Sequence, residues 1–386
     1  MAAPAANGLR VVVAGVYLDP LRRAPRELLE SWRDFGRAAA SAGRQGVHVT
    51  IVQAAWDDES CDIDGVACHF VREDRPPFLR LPGAGRVRRV PRRLFGRIAA
   101  LSPALVHYEG LVCPHLARAL GRHLSSVPIL AQDHGSKAPR GWRRRLWRWG
   151  FAPLAGVAFT ARAQAEELQT AGILRRDLPV FEVVEGSSPF TPGDQSAARA
   201  ETGLGGDPSL LWVGNLDANK DPLTVIDALE RAKAVPRAQL HMCYRHAPLL
   251  GAVRARIAGR GLAGRVVLHG QVAYPAIETY FRAADFVMQA SHREGSGYAI
   301  IEALACGTTP LVTDIPSFRR ITGDGAFGAL VPVDDPAALA QASEDWSRKD
   351  RALLRRRAHE HFVRSLSFEA IGRQLVHAYE QTGSAR

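Results

Sequence analysis

The sequence predicts an α/β protein built from two Rossmann-like domains that face each other across a cleft. Three observations lead there. Short apolar runs of four to six residues recur along the chain and alternate with longer amphipathic stretches, the pattern of parallel sheets covered by helices on both faces. A stretch dense in turn residues, Glu185-Gly-Ser-Ser-Pro-Phe-Thr-Pro-Gly-Asp194, separates two such series. At 386 residues the chain also exceeds the roughly 250–300 residues that a single core fills.

In the first series, strands are expected at 10–14, 47–52, 105–108, 129–132 and 156–160. The opening run, Val11-Val12-Val13-Ala14, is too short for the apolar core of a signal peptide and reads as a buried strand. In the second series, strands are expected at 210–213, 239–243, 265–269, 285–289 and 309–312, with helices such as 222–234 and 276–284 between them. The first domain is placed at 1–190 and the second at 200–360. The stretch 352–381 reads as helix, and residues 361–386 are assigned to a C-terminal helix. Open parallel sheets bind ligands beyond the carboxyl ends of their strands, so the cleft is the expected site.

A hydrophobic content of 46% with 23% charged residues describes a globular chain with material for two cores. The five cysteines form no Cys-x-x-Cys pairs, which argues for a reduced compartment and against structural zinc. No run approaches the roughly 20 apolar residues of a membrane span. The expected location is cytoplasmic, with peripheral attachment to an inner membrane surface left open. Net charge is +11, and nine of that excess lies in residues 1–190, where 27 Lys and Arg face 18 Asp and Glu. No nucleic-acid module accompanies this charge, so anionic lipid or an acidic acceptor is the preferred partner and nucleic acid is not expected.

The most informative stretch is Ser291-His-Arg-Glu-Gly-Ser-Gly-Tyr-Ala-Ile-Ile-Glu302-Ala-Leu-Ala-Cys-Gly307. It reads as a loop leaving a strand and entering a buried helix, closed by Gly307 just past the helix end. Such a loop gathers backbone N–H groups and the positive end of a helix dipole, which suits a phosphate. Gly295 and Gly297 are expected to let a ligand approach the backbone. Glu302, about one turn into the helix, is placed to accept hydrogen bonds from sugar hydroxyls, and Glu294 lies in the loop itself. Together these point to a sugar nucleotide.

The spacing from Glu294 to Glu302, set in Glu-Gly-x-Gly-Tyr-x-x-x-Glu-Ala-x-Ala-x-Gly, resembles the E-x7-E signature of retaining glycosyltransferases of the GT-B fold, family four. Residues 305–314, Ala-Cys-Gly-Thr-Thr-Pro-Leu-Val-Thr-Asp, resemble that family's next strand and loop. A second unit, Leu211-Trp-Val-Gly214-Asn215-Leu-Asp-Ala-Asn219-Lys220-Asp-Pro222, resembles its Val-Gly-Arg-Leu-x-x-x-Lys motif, in which Arg and Lys grip the donor's phosphates. Lys220 matches, whereas Asn215 stands in the Arg position, which removes one positive charge. Arg245 and Arg293 are candidate substitutes. In the first domain, Gln132-Asp133-His134-Gly135-Ser136 follows a strand, and His134 resembles the histidine that family members set beside the donor sugar. It is expected to bond sugar hydroxyls in either protonation state. The segment 107–110, His-Tyr-Glu-Gly, is a further candidate at the end of the preceding strand. The loop from Gly15 to Pro20 lacks the family's Gly-Gly pair, so acceptor geometry does not carry over. The resemblance is specific over 200–330 and rests on pattern and the Asp-His-Gly turn before that.

The resemblance implies transfer of a sugar from a nucleotide-diphosphate donor to an acceptor hydroxyl with retention at the anomeric carbon, and no further cofactor. His134, Lys220 and Glu294 would carry catalysis. Gly214, Asn215, Lys220, Glu294, Gly295, Ser296, Gly297, Tyr298 and Glu302 would bind the donor, with Glu294 on the sugar and Glu302 on the ribose. No Asp-x-Asp metal motif is present, so no divalent ion is expected to be essential. A linker near 185–200 would act as the hinge, and the C-terminal helix, 361–386, would cross back to the first domain. Two other readings stand beside it: a sugar-nucleotide epimerase or phosphorylase-like enzyme of the same fold, and a non-catalytic binding or scaffold protein with a decayed site, which Asn215 keeps open.

Two basic segments complete the chain. Residues 86–97 carry six arginines, and 140–149 interleave five arginines with three tryptophans. If 142–149 is helical, Trp142, Leu146 and Trp149 share a face. The favoured reading is a connecting helix packed on the first domain. The alternative is an interfacial helix on anionic lipid.

Overall fold

A computed structural model describes residues 8–74, 77–81 and 85–384. The chain divides into two compact units, Met1–Gly186 with Phe368–Arg386, and Ser187–Ser367. Each is organised around its own sheet.

The first unit contains β1 (Arg10–Gly15), β2 (His48–Ala55), β3 (Glu59–Ile63), β4 (Val66–Arg72), β5 (Phe78–Leu81), β6 (Gly85–Arg88), β7 (Leu105–Glu109), β8 (Ile129–Gln132), β9 (Gly156–Phe159) and β10 (Val180–Glu182). Eight of these form a sheet of order β10-β9-β8-β7-β1-β2-β4-β3, parallel except for β3 against β4. The remaining pair, β5 and β6, is a separate antiparallel ribbon. The central strands are buried on both faces, which is why they read as continuous apolar runs. Helices at Arg92–Ala100 and Pro114–His123 cover the sheet with Leu94, Phe95, Ile98, Leu116 and Leu120.

The second unit holds β11 (Ser209–Gly214), β12 (Gln239–Tyr244), β13 (Val266–Gly270), β14 (Phe286–Gln289), β15 (Thr309–Thr313) and β16 (Ala329–Val331). They form one all-parallel sheet of order β13-β12-β11-β14-β15-β16. This is the strand order of a doubly wound nucleotide-binding sheet, reversing direction between β11 and β14. The helix Pro222–Arg231 starts on Pro222 at its first turn, with Asp221 accepting from the Thr224 N–H as its cap.

The strands expected in both series form within one residue of the expected ends, except β2, which runs three residues further, to Ala55. The hairpin β3–β4, the ribbon β5–β6 and the edge strands β10 and β16 were not anticipated. The β3–β4 turn had a legible signal: Asp64-Gly65 takes positive φ at both positions, 50° and 86°, as a tight hairpin turn requires. The helical stretch expected at 352–381 is two helices, Arg351–Ser365 in the second unit and Phe368–Ser384 in the first. The latter packs on the Pro25–Gly43 helix, and Tyr379 reaches the interior, where its hydroxyl lies 2.8 Å from His107 Nδ1.

The Trp142–Phe151 helix is anchored by Trp147 and Phe151, whereas Trp142 and Trp149 are 68% and 44% exposed. The Trp142, Leu146, Trp149 face is therefore not the packed one, because Trp147 occupies the inward position. No helix among the described residues is long and apolar enough to cross a membrane.

Candidate functional site

The reversal point of the second sheet brings two sequence motifs together. The loop after β11 carries Asn215 to Lys220, and the loop after the neighbouring strand β14 carries Ser291 to Gly297. Ligands of open parallel sheets bind where such loops diverge.

Asp217 organises the first loop, its Oδ1 accepting from the backbone of Asn219 (3.0 Å) and Lys220 (2.9 Å). Asn219 then joins the loops: its side chain donates to the Arg293 carbonyl (3.0 Å), and its carbonyl accepts from the His292 N–H (2.8 Å). Across this seam Lys220 Nζ meets Glu294 Oε1 at 2.5 Å, with only 21% and 11% of the two side chains exposed. The predicted phosphate grip and the predicted sugar-binding carboxylate are thus directly paired. Asn215 is exposed and turns its Oδ1 toward the His246 N–H (3.4 Å), so it joins its loop to the one bearing Arg245. Arg245 and Arg293 are both exposed beside these loops.

The helix Tyr298–Ala305 begins without a side-chain cap. Gly297 precedes it with φ 68°, and a Cβ there would lie 2.7 Å from the Phe318 ring. Left-handed backbone and the close Phe318 ring are themselves reasons for a glycine here, beside the expected ligand approach. Ser296 and Glu302 are buried, Tyr298 is 45% exposed, and Gly307 follows the helix with φ 81°. Gly214 ends β11 above the Trp212 ring.

In the first unit, His134 sits beyond β8, one strand from the reversal between β7 and β1. Its Nδ1 lies 2.7 Å from Glu185 Oε2 and its Nε2 lies 2.6 Å from Glu109 Oε2. Burial opposes its charge, but the hydrogen bonds and charges of Glu109 and Glu185 outweigh it and raise the pKa to about 11. With a carboxylate at each ring nitrogen, the charged form is favoured, and its two N–H groups donate to Glu185 and Glu109. Burial raises the Glu109 carboxyl, but His107 and His134 outweigh it and hold it below the usual range; burial lowers His107. The sequence marks Glu109 only within the candidate segment 107–110 and Glu185 only as linker, since nothing in a sequence pairs residues 51 positions apart.

For a metal, the described residues offer Asp221, His292 and Asp334, whose ligand atoms lie within 4.8 Å of one another. His292 Nε2 stands 3.6 Å from Asp221 Oδ2 and 3.5 Å from Asp334 Oδ1, but the Asp334 side chain is 70% exposed.

A sheet order of this kind in one unit, a second parallel sheet in the other, and loops joined at the reversal point define a GT-B glycosyltransferase fold. Solved structures agree: a glycosyltransferase from Rickettsia africae superposes with a TM-score of 0.71 over 98% of this chain and 100% of that one at 15% identity. Anabaena HepE in complex with UDP gives 0.69 over 97% and 100%, also at 15% identity. The family model described as Glycosyltransferase Family 4 matches residues 33–181, and that described as Glycosyl transferases group 1 matches 194–361. The chain belongs to the GT-B glycosyltransferases of family four. Among curated relatives, the D-inositol 3-phosphate glycosyltransferase of Geodermatophilus obscurus is 33% identical over 202 residues, 49% of this chain and 44% of that protein. The phosphatidyl-myo-inositol mannosyltransferase of Mycobacterium tuberculosis is 34% identical over 131 residues, 31% of this chain and 35% of that one. The chain spans less than half the length of these curated relatives.

Proposed function

We propose that this protein transfers a sugar from a nucleotide-diphosphate donor to an acceptor hydroxyl with retention at the anomeric carbon. The observation that carries the reading is the Lys220–Glu294 pair, set where the two motif loops meet at the reversal of the second sheet. Lys220 supplies the charge that the departing diphosphate needs, and the start of the Tyr298–Ala305 helix adds its dipole. In front-face displacement the bond from the anomeric carbon to the diphosphate oxygen breaks. The acceptor oxygen bonds to that carbon on the same face, and its proton passes to the diphosphate. Glu294 then positions the donor sugar and Glu302 the ribose. His134 retains its proposed role in orienting the sugar. Because Glu109 and Glu185 hold its N–H groups, sugar hydroxyls would meet the cluster through carboxylate oxygens. The linker near 185–200 is the proposed hinge. Glycan, glycolipid and small-molecule hydroxyls remain the acceptor classes, and the chain is placed in the cytoplasm.

Calorimetric titration with UDP, GDP and ADP tests the reading. One nucleotide is expected to bind at micromolar concentration, and Lys220→Ala and Glu302→Ala are each expected to weaken it about tenfold or more. No binding to any of the three removes the transferase reading. Binding without turnover of any sugar nucleotide of that base favours the non-catalytic reading, for which the exposed, uncharged Asn215 is the supporting observation.

A further inference from the structure

The first unit buries a cation that makes no ion pair within 4.0 Å among the described residues; Glu73 acts on it only at longer range. Arg88 ends β6, opposite Phe78 in the ribbon register, and is 8% exposed. Its Nε and Nη1 are buried and have no hydrogen-bond partner among the described residues. Its carbonyl is held by His115 Nε2 at 2.9 Å, and its guanidinium lies 6.0 Å from the Phe78 ring. Burying a guanidinium without a counter-charge is strongly unfavourable, and Arg does not escape the cost by losing its proton.

Arg88 lines two cavities, of about 590 Å³ and about 410 Å³, that share Glu73, Asp74, Pro77 and Arg88. The larger also has Arg22, Trp56 and Arg72 in its wall, and Arg22 stacks over the Trp56 ring at 4.3 Å. Three acids border the two cavities, and each is engaged elsewhere. Glu73 accepts from the backbone N–H groups of Arg93 (3.2 Å) and Leu94 (2.9 Å) at the start of the Arg92–Ala100 helix. Asp74 lies 3.3 Å from Arg93 Nη1, and Asp57 lies 4.0 Å from Arg72 Nη1. Six arginines face these three acids across the two cavities. Cavities of this size hold a small ligand.

We propose that this cavity binds the phosphate group of a phosphorylated small-molecule acceptor, with Arg88 as its buried counter-charge. The proposal rests on the transferase reading for its use of the word acceptor; the anion site itself does not. A phosphomonoester carries nearly two negative charges at neutral pH and several strong acceptor oxygens, which matches an unpaired guanidinium with Arg22 and Arg72 nearby.

The test is calorimetry on the full chain at low salt with glycerol 3-phosphate, inorganic phosphate and glycerol as separate probes, beside UDP. Glycerol 3-phosphate is expected to bind in the sub-millimolar range, more tightly than inorganic phosphate, and glycerol not at all. Arg88→Gln is expected to weaken glycerol 3-phosphate about tenfold or more, and Arg22→Ala, at an exposed position, about threefold, with UDP affinity unchanged in both. Circular dichroism melts show that each variant is folded. The weakening by Arg22→Ala carries the test if Arg88→Gln does not fold. Binding of glycerol 3-phosphate that neither substitution weakens overturns the site, as does no binding at all while UDP still binds. Failure of UDP, GDP and ADP alike to bind, with phosphate binding intact, removes the transferase reading and leaves the anion site standing. Arg88-dependent binding to phosphatidylglycerol vesicles without binding of glycerol 3-phosphate assigns the site to a lipid surface and overturns the small-molecule proposal.

Discussion

Replacing His134 with Asn removes the cation shared by Glu109 and Glu185, and the cost can be worked from the geometry. The ring makes two charge-assisted bonds, at 2.6 and 2.7 Å. Such bonds contribute about 1.5–3 kcal/mol each when fully buried. The His134 side chain is 41% exposed, so water recovers part of the loss, and halving the sum for screening leaves about 1.5–3 kcal/mol. In a unit of roughly two hundred residues this corresponds to a fall in Tm of about 3–12 °C. The pH dependence has a definite sign. The folded pKa of His134 is raised from 6.5 to about 11, so its stabilisation is complete below 6.5 and is lost as pH rises toward 11. Glu109 is lowered from 4.5, so its contribution is present above 4.5 and is lost on acidification. The gap between wild type and His134→Asn is therefore widest between about pH 4.5 and 6.5 and narrows through the alkaline range. Urea melts at pH 5.5, 7.5 and 9.5 measure it. A gap that stays constant over these three, or grows toward pH 9.5, refutes the reasoning.

Gly297→Ala introduces a Cβ at φ 68° and 2.7 Å from Phe318, which strain and overpacking together price at about 2–4 kcal/mol; a melt that matches wild type would remove that account. The exposed Trp142 and Trp149 flank Arg143, Arg145 and Arg148, so the chain is expected to co-sediment with anionic vesicles at low salt and to be released as salt rises. Trp142→Ser with Trp149→Ser is expected to reduce that binding severalfold, and equal sedimentation of the doubly substituted chain would return the helix to a purely connecting role.

Much of the fold was legible because parallel strands buried on both faces stand out as apolar runs, as Val11 to Ala14 and Leu210 to Val213 show. The β3–β4 hairpin escaped because β3 alternates exposure along a polar run, Glu-Ser-Cys-Asp-Ile, even though Asp64-Gly65 marked its turn. In the site, Gly297 and Glu302 could be placed from strand, loop and helix order alone. The joining of the two loops by Asn219 could not, because a side-chain bond to Arg293 spans 74 positions and leaves no periodic trace. The same holds for His134: its residue type announced a polar role, but its charge is set by Glu109 and Glu185, which only the folded chain brings within reach.

The return of the Phe368–Ser384 helix to the first unit sets an order of assembly on the ribosome. The segment up to Gly186 emerges first, yet it lacks the helix that supplies Ile371, Leu375 and Tyr379 to its interior. The intervening segment, Ser187–Ser367, is continuous and has its whole sheet in hand before that helix is made. The unit synthesised first is thus the last to be completed, and its apolar face over the Pro25–Gly43 helix waits uncovered while the entire second sheet is translated.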